Sequence, residues 1–134
     1  MTMTQQIARA ASAFEHQRTG HAPTGVTVVV SEDTLVITLR GGLSEVEKAL
    51  AQCQEGAAQV QGFHRLLFTS SAESLWHEIT RITGVKVREA TAEVDSATGA
   101  VIHVFTTGTI VQVFLLANRL PAETWSSSES FGNA

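Results

Sequence analysis

From Gly25 to Arg40 apolar and polar residues alternate, whereas on both sides of this stretch the apolar positions recur at helical spacing. In Thr34–Arg40, Leu35, Ile37 and Leu39 share one face while Thr34, Val36 and Thr38 share the other, so the Leu/Ile side is expected to face the core. Gly25–Val30 is rich in Val and Thr, and the intervening Ser31-Glu32-Asp33 predicts a β-hairpin. Upstream, Ile7, Ala10, Ala11 and Phe14 predict an amphipathic helix from Thr4 to about Arg18. Gly20 suits the left-handed position that closes a helix, and Pro23 forbids its continuation.

Gly41-Gly42 interrupts the second strand, and Ser44 followed by Glu47 forms a capping box for a helix beginning near Ser44. Val46, Leu50 and Cys53 continue at helical spacing, as do Val60, Phe63, Leu67, Leu75, Ile79 and Ile82 beyond Gly56. Residues 44–83 therefore read as one long bent helix or as two, with the break expected at Gly56 or at Thr69-Ser70-Ser71, where Ser70 and Glu73 offer a second capping box. Gly84 ends the helix. Val85 to Asp95 reads as a strand whose parity shifts between Val87 and Ala90, the signature of a bulge. After a loop from Asp95 to Gly99, Ala100 to Thr106 predicts the next strand, Thr107-Gly108 a turn, and Ile110 to Ala117 a further strand.

The order is α-β-β-α-α-β-β with a possible fifth strand. It predicts an α+β domain over residues 1–125, an antiparallel sheet of four or five strands with helices packed on one face. Pro121 ends regular structure, and the serine-rich 126–134 is expected to be a flexible tail. Hydrophobic residues make up 43% and charged residues 16% of the 134, an apolar balance for a free-standing monomer. With Val26, Val28, Val30, Val101, Phe105, Val111 and Val113 in the strands, it points to sheet-mediated homodimerisation.

A net charge of -4 and a pI near 5.7 exclude nucleic acid as a partner, because phosphate binding needs clustered Lys and Arg. The lone Cys53 cannot form an internal disulfide, which suits a reduced, cytoplasmic protein with that cysteine in the core or an interface. The first residues lack the apolar run of a signal peptide, and Ile110–Ala117 is too short to cross a bilayer. Direct membrane insertion is not expected; any membrane contact is peripheral.

The strongest local candidate for chemistry is Arg40-Gly41-Gly42-Leu43-Ser44. Free backbone N–H groups at a helix start, the Ser44 hydroxyl and the Arg40 guanidinium offer a small-anion site for bicarbonate or phosphate. The competing explanation is a plain strand-to-helix connection in which Ser44 and Glu47 cap the helix and Glu47 excludes an anion. His16, His21, His64, His77 and His103 show no metal-ligand spacing, so neither metal nor cofactor is expected. His103, between Ile102 and Val104, is the histidine singled out for titration near neutral pH on a dimer surface. No Gly-x-Ser-x-Gly elbow or P-loop occurs, and no catalytic residues are assigned. Trp76 on the long helical stretch is assigned to packing.

Gly20-His21-Ala22-Pro23-Thr24 ahead of a Val-rich hairpin, Leu43-Ser44-Glu45-Val46-Glu47 opening a helix, and Ile82-Thr83-Gly84-Val85-Lys86-Val87 followed by Asp95 and Phe105 together resemble the MpsC-like family of bacteria. The resemblance covers roughly Gln5 to Phe105, and its motif positions are Gly20, Pro23, Glu47, Thr83, Gly84, Asp95 and Phe105. It implies a non-enzymatic accessory or regulatory role near bicarbonate or cation transport, with a membrane transporter as partner and a cytoplasmic location peripheral to the inner membrane. The alternative is a sensor of a small anion or metabolite; an uncharacterised enzyme stands third.

Overall fold

The computed structural model describes residues 1–90, 94–95, 99–100, 102–104, 109–120 and 125–130. Along the chain these form α1 (Met3–Thr19), β1 (Gly25–Ser31), β2 (Thr34–Arg40), α2 (Glu45–Leu50) and α3 (Gln54–Thr83). They continue as β3 (Val87–Ala90), β4 (Val94–Asp95), β5 (Gly99–Ala100), β6 (Ile102–Val104), β7 (Ile110–Leu116) and β8 (Trp125–Ser130). The fold is α+β with an antiparallel sheet.

The alternation of the first hairpin is realised residue by residue. β1 and β2 pair from Gly25↔Arg40 to Ser31↔Thr34, around a tight turn in which Glu32 takes φ 58°. Val26, Val28, Val30, Leu35, Ile37 and Leu39 are all fully buried, each contributing about 1.5–3 kcal/mol by leaving water. β7 lies on the other side of β2, from Thr34↔Leu115 to Leu39↔Ile110, and turns Ile110, Gln112, Phe114 and Leu116 inward. These three seven-residue strands are the centre of the sheet.

The helices cover the inner face. α1 packs on β1 and β8, α3 on β3 and β6, and the two helices pack on each other. Ile7, Ala8, Ala11 and Phe14 of α1 meet Val60, Phe68, Leu75 and Ile79 of α3 and the inward strand residues in one hydrophobic core. Both long helices end in the same way. Thr19 Oγ donates to the Glu15 carbonyl at 2.9 Å and accepts the His21 N–H at 3.1 Å, with Gly20 left-handed at φ 75°. Thr83 Oγ likewise donates to the Ile79 carbonyl at 2.8 Å and accepts the Val85 N–H at 3.1 Å, with Gly84 at φ 74°.

Several expectations are corrected. The helical region divides at residues 51–53, ahead of both expected breaks, because Cys53 Sγ accepts the Gly56 N–H at 3.4 Å and caps α3. Cys53 is accordingly exposed and not a core residue. Gly56 is a point of close approach: a Cβ there would lie 1.8 Å from the Leu50 carbonyl oxygen. α3 runs on through Ser70, whose hydroxyl bonds back to the Leu67 carbonyl at 3.2 Å instead of capping a new helix. Its buried face also differs, since Phe68 is buried while Phe63 is half exposed.

Where the second hairpin is expected, the described residues show β3 and β6 each paired with β7, and β4 paired with β5. The expected parity shift is present as a break in register between Val87 and Glu89. The serine-rich segment assigned to a tail supplies β8, paired with β1 from Gly25↔Ser130 to Val30↔Trp125, where it satisfies backbone groups of an otherwise open edge. Among the described residues the main sheet is thus six-stranded, in the order β3-β7-β2-β1-β8 with β6 beside β7, beyond the four or five strands expected. Val101, Phe105 and Thr107-Gly108 lie outside the described residues.

Candidate functional site

The polar centre of the molecule is an imidazole held between carboxylates from two other helices. His64 on α3, only 2% exposed, places Nε2 2.6 Å from Glu47 Oε2 of α2 and Nδ1 3.6 Å from Glu15 Oε2 of α1. The first is a short, charge-assisted hydrogen bond; the second is an ion-pair contact longer than a normal hydrogen bond. Glu15 is buried as well.

Local sequence puts each group there. His64 stands four residues from Val60 and four from Phe68, so it occupies one rung of the buried stripe of α3. Glu15 follows Phe14 and lies four residues beyond Ala11 on the inward side of α1. Glu47 is positioned by the start of α2, where its Oε1 accepts the Ser44 N–H at 3.0 Å while Ser44 Oγ accepts the Glu47 N–H at 3.3 Å.

The electrostatics follow from the competition between burial and partners. Desolvation is the largest influence on His64 and favours the neutral ring, but the hydrogen bonds and charges of Glu15 and Glu47 together outweigh it, and its pKa is raised above the usual histidine value. For Glu47 desolvation is again the largest influence and pushes upward; the Ser44 N–H, His64 and the Ser44 hydroxyl outweigh it, and the carboxyl titrates below its usual range. The arrangement favours an imidazolium between carboxylates. It can store and release a proton, and it ties three helices together.

Next to Glu47 a cleft of about 270 Å³ opens between α2 and α3, lined by Glu47, Leu50, Gln59, Val60 and Phe63. Leu50 and Phe63 in its wall are 45 and 50% exposed, and Val46 on α2 and Leu66 on α3 are 70 and 67% exposed. Large apolar side chains this open, grouped on two adjoining helices, form an apolar surface beside the buried pair.

The residues assigned to an anion site are placed separately. Arg40 alternates with buried Leu39 and donates from Nη1 to Thr27 Oγ at 2.6 Å, on the outer side of the sheet. Gly41 takes φ 64°, where an added Cβ would lie 2.5 Å from Thr24 Oγ, and its carbonyl meets His21 Nε2 at 2.9 Å. Gly42 is buried, and the Ser44 hydroxyl and N–H are engaged by Glu47. Gly20 and the Thr83-Gly84 pair close helices, Pro23 is buried before β1, and Asp95 lies in β4 opposite Gly99; Phe105 is outside the described residues. His103 lies in β6 opposite Val111, and His16 and His77 are exposed. Trp76 packs against the core, with no partner for its indole N–H among the described residues. Among the described residues no cluster of His, Cys, Asp and Glu could hold a metal ion.

Sequence spacing alone missed Glu15 and His64. The usable signal was a histidine four residues from apolar positions on both sides, together with an acidic residue adjoining another apolar stripe.

Fold and site define a small α+β protein whose helical layer is pinned to one buried, carboxylate-flanked histidine. The chain belongs to the MpsC family, whose description is Na+-translocating membrane potential-generating system; the match runs over residues 1–109. It is 25% identical over 104 residues to the uncharacterised protein YbcI of Bacillus subtilis (strain 168), covering 78% of this chain and 84% of that protein. No solved structure matches it significantly. Among the described residues no helix is long and apolar enough to cross a membrane.

Proposed function

We propose that this chain is a non-enzymatic accessory protein of a cation-translocating, membrane-potential-generating system, and that it acts by docking a protein component of that system on the α2–α3 surface. The family description supports the system. The observation that carries the docking role is the exposure of Leu50 and Phe63 in the cleft wall and of Val46 and Leu66 on the same two helices, while the other large apolar side chains among the described residues are mostly enclosed. Apolar side chains on helices that also carry Glu45, Lys48 and Glu55 have the composition of an interface centre with a polar rim.

The test is co-purification with the co-expressed membrane component, comparing the natural chain with Phe63→Ser/Leu66→Ser. Retention is expected to fall at least tenfold, about 1.4 kcal/mol, with little change in stability because both residues are already exposed. Equal retention of the two chains overturns the docking role.

The cleft itself favours a second function, a metabolite sensor. Glu47 in its wall selects neutral or cationic ligands over the anions expected from the Gly-Gly loop. A panel of such compounds should then raise the melting temperature through binding to the folded state, and Leu50→Ala should abolish the rise.

We also infer a homodimer through the outer sheet face. Thr27, Val29, Val36, Thr38, Val111 and Val113 form its centre, uncharged and only partly exposed, which suits packing against a second sheet of the same kind. Light scattering at the mass of one chain, or an unchanged mass for Val36→Lys, would remove this part of the proposal.

A further inference from the structure

We propose that Glu15, His64 and Glu47 form a proton-dependent latch: the imidazolium on α3 fastens α2 to the helical layer, and loss of its proton frees α2 and reshapes the cleft that α2 shares with α3. The consequence for partner binding rests on the docking role proposed above. The latch itself is a property of the isolated chain.

α2 is the element with least to hold it. None of its six residues is buried, whereas every other helix in the described structure contributes to the core. The chain is anchored just before α2 by Leu43, 1% exposed, and just after it by Ala51, 8% exposed. Between these two points the fastening is the Glu47–His64 contact, with the close approach of Gly56 to the Leu50 carbonyl at the far end. A short helix tethered at both ends and pinned by one ion pair is free to shift when that pair is weakened.

The imidazole has two nitrogens and faces two carboxylates. Protonated, it carries an N–H on each, one bonded to Glu47 and the other turned toward Glu15 across 3.6 Å. When the proton leaves for solvent, one N–H remains, and one carboxylate is left against a nitrogen lone pair in a largely buried site. Such a pairing is repulsive in a poorly hydrated interior. Glu47 is the one to yield: its side chain is 15% exposed against 7% for Glu15, and it already forms part of the cleft wall. The neutral ring then keeps its proton on Nδ1 toward Glu15, and Glu47 turns into the cleft.

Charged groups that face His64 come from each helix packed against it, Glu15 from α1 and Glu47 from α2. Among the described side chains, β1, β2 and β7 bring no charged group into the same core, β7 adding the neutral Gln112. The raised pKa of His64 agrees with this geometry and sets the direction, closed when protonated and open at higher pH.

The test is amide hydrogen exchange of the full chain between pH 6 and 9, corrected for the intrinsic rate. The reporters are the Lys48 and Ala51 N–H groups, bonded at 2.9 Å to the Ser44 and Glu47 carbonyls, with Ile79 in the core of α3 as reference. Protection of the α2 amides relative to Ile79 is expected to fall on the order of tenfold across the range as α2 comes free. Glu47→Gln retains the capping box, since Gln serves that position as well as Glu, but removes the charge; its α2 protection should be lower and flat with pH. A 15N titration of the natural chain should show His64 changing protonation together with the Lys48 and Ala51 amides.

Parallel behaviour of α2 and Ile79, or the same pH step in Glu47→Gln, overturns the latch, and so does a His64 titration that leaves the α2 amides unmoved. Failure of the docking role is separable: retention of the membrane component that is insensitive both to pH and to Phe63→Ser/Leu66→Ser, alongside the α2 exchange step, removes the partner and leaves the latch standing.

Discussion

Glu47 meets His64 through one carboxylate oxygen, at 2.6 Å, while its other oxygen accepts the Ser44 N–H at 3.0 Å. One side chain therefore starts α2 and fastens it to α3. The two duties separate by substitution. Glu47→Gln keeps the cap and loses the ion pair, whereas Glu47→Ala loses both, so Ala should be the more damaging by about 1 kcal/mol in urea denaturation. In a cycle with Ser44→Ala, that extra loss should remain, because Glu47 Oε1 takes the backbone N–H of residue 44, which alanine keeps.

Stability should depend on pH through the same pair, with opposite signs at its two ends. His64 has its folded pKa raised, so its contribution is fully present below the unfolded value, about 6.5, and is lost as pH rises through the folded value. Glu47 has its folded pKa lowered; its contribution is present above the unfolded value and is lost as pH falls through the folded one. The pair is thus strongest in the mildly acidic window between the two. Denaturation midpoints measured from pH 4 to 9 should rise and then fall, and His64→Leu should flatten the alkaline decline while lowering stability by about 3–5 kcal/mol, because Glu15 is left buried without its partner.

The elbow between α2 and α3 depends on a missing Cβ. At Gly56 an added Cβ would lie 1.8 Å from the Leu50 carbonyl oxygen, and backbone atoms have nowhere cheap to go. Gly62, one to two turns further along the same helix, has nothing within 4 Å of the equivalent position. Gly56→Ala should therefore destabilise by about 1–3 kcal/mol, and Gly62→Ala should stabilise by about 0.5–1 kcal/mol through helix propensity. Paired thermal melts decide it; a neutral Gly56→Ala would show that α2 is not tightly seated on α3.

Thr19 and Thr83 end α1 and α3 with the same pair of hydrogen bonds around a left-handed glycine. Replacing either by Val keeps the shape and removes the hydroxyl, with an expected loss of about 1–2 kcal/mol for each, since one helix carbonyl and one N–H lose their partner. The two losses should add within error, because the caps share no partner. A markedly larger effect at Thr83 would mean that its turn also sets the entry of β3.

Much of the fold was legible because local chemistry and tertiary packing agree. The alternation of Leu35, Ile37 and Leu39, the Ser44/Glu47 box, the helix-ending Gly20 and Gly84 and the parity shift after Val87 each have a mechanism confined to a few residues. What failed depended on partners distant in sequence. Three serines at 126–128 have poor strand propensity, yet β1 offers them an open edge. Phe63 fits a helical apolar spacing as well as Phe68 does, and only the docking of α1 decides which is covered. Glu15 and His64 carry no motif, and the motif that holds Glu47 marks a helix start; each comes from a different helix, and nothing in their order records that they meet.

Gln112 is a polar residue at the centre of β7, 1% exposed among Ile110, Phe114 and the inward residues of β2. Its Oε1 is buried with no hydrogen-bond partner among the described residues. An unsatisfied amide oxygen in such a place costs about 1–3 kcal/mol of desolvation, and Leu has nearly the same volume without the acceptor. Gln112→Leu should therefore stabilise the protein by about 1 kcal/mol or more, read from the shift in the urea midpoint at unchanged slope. The same substitution leaves the Glu15–His64–Glu47 cluster intact, so the pH dependence of stability should keep its shape and move up as a whole. A loss of stability on that substitution would show that Oε1 has a partner after all, an ordered water or a group beyond the described residues, and would make Gln112 a second polar centre of the core.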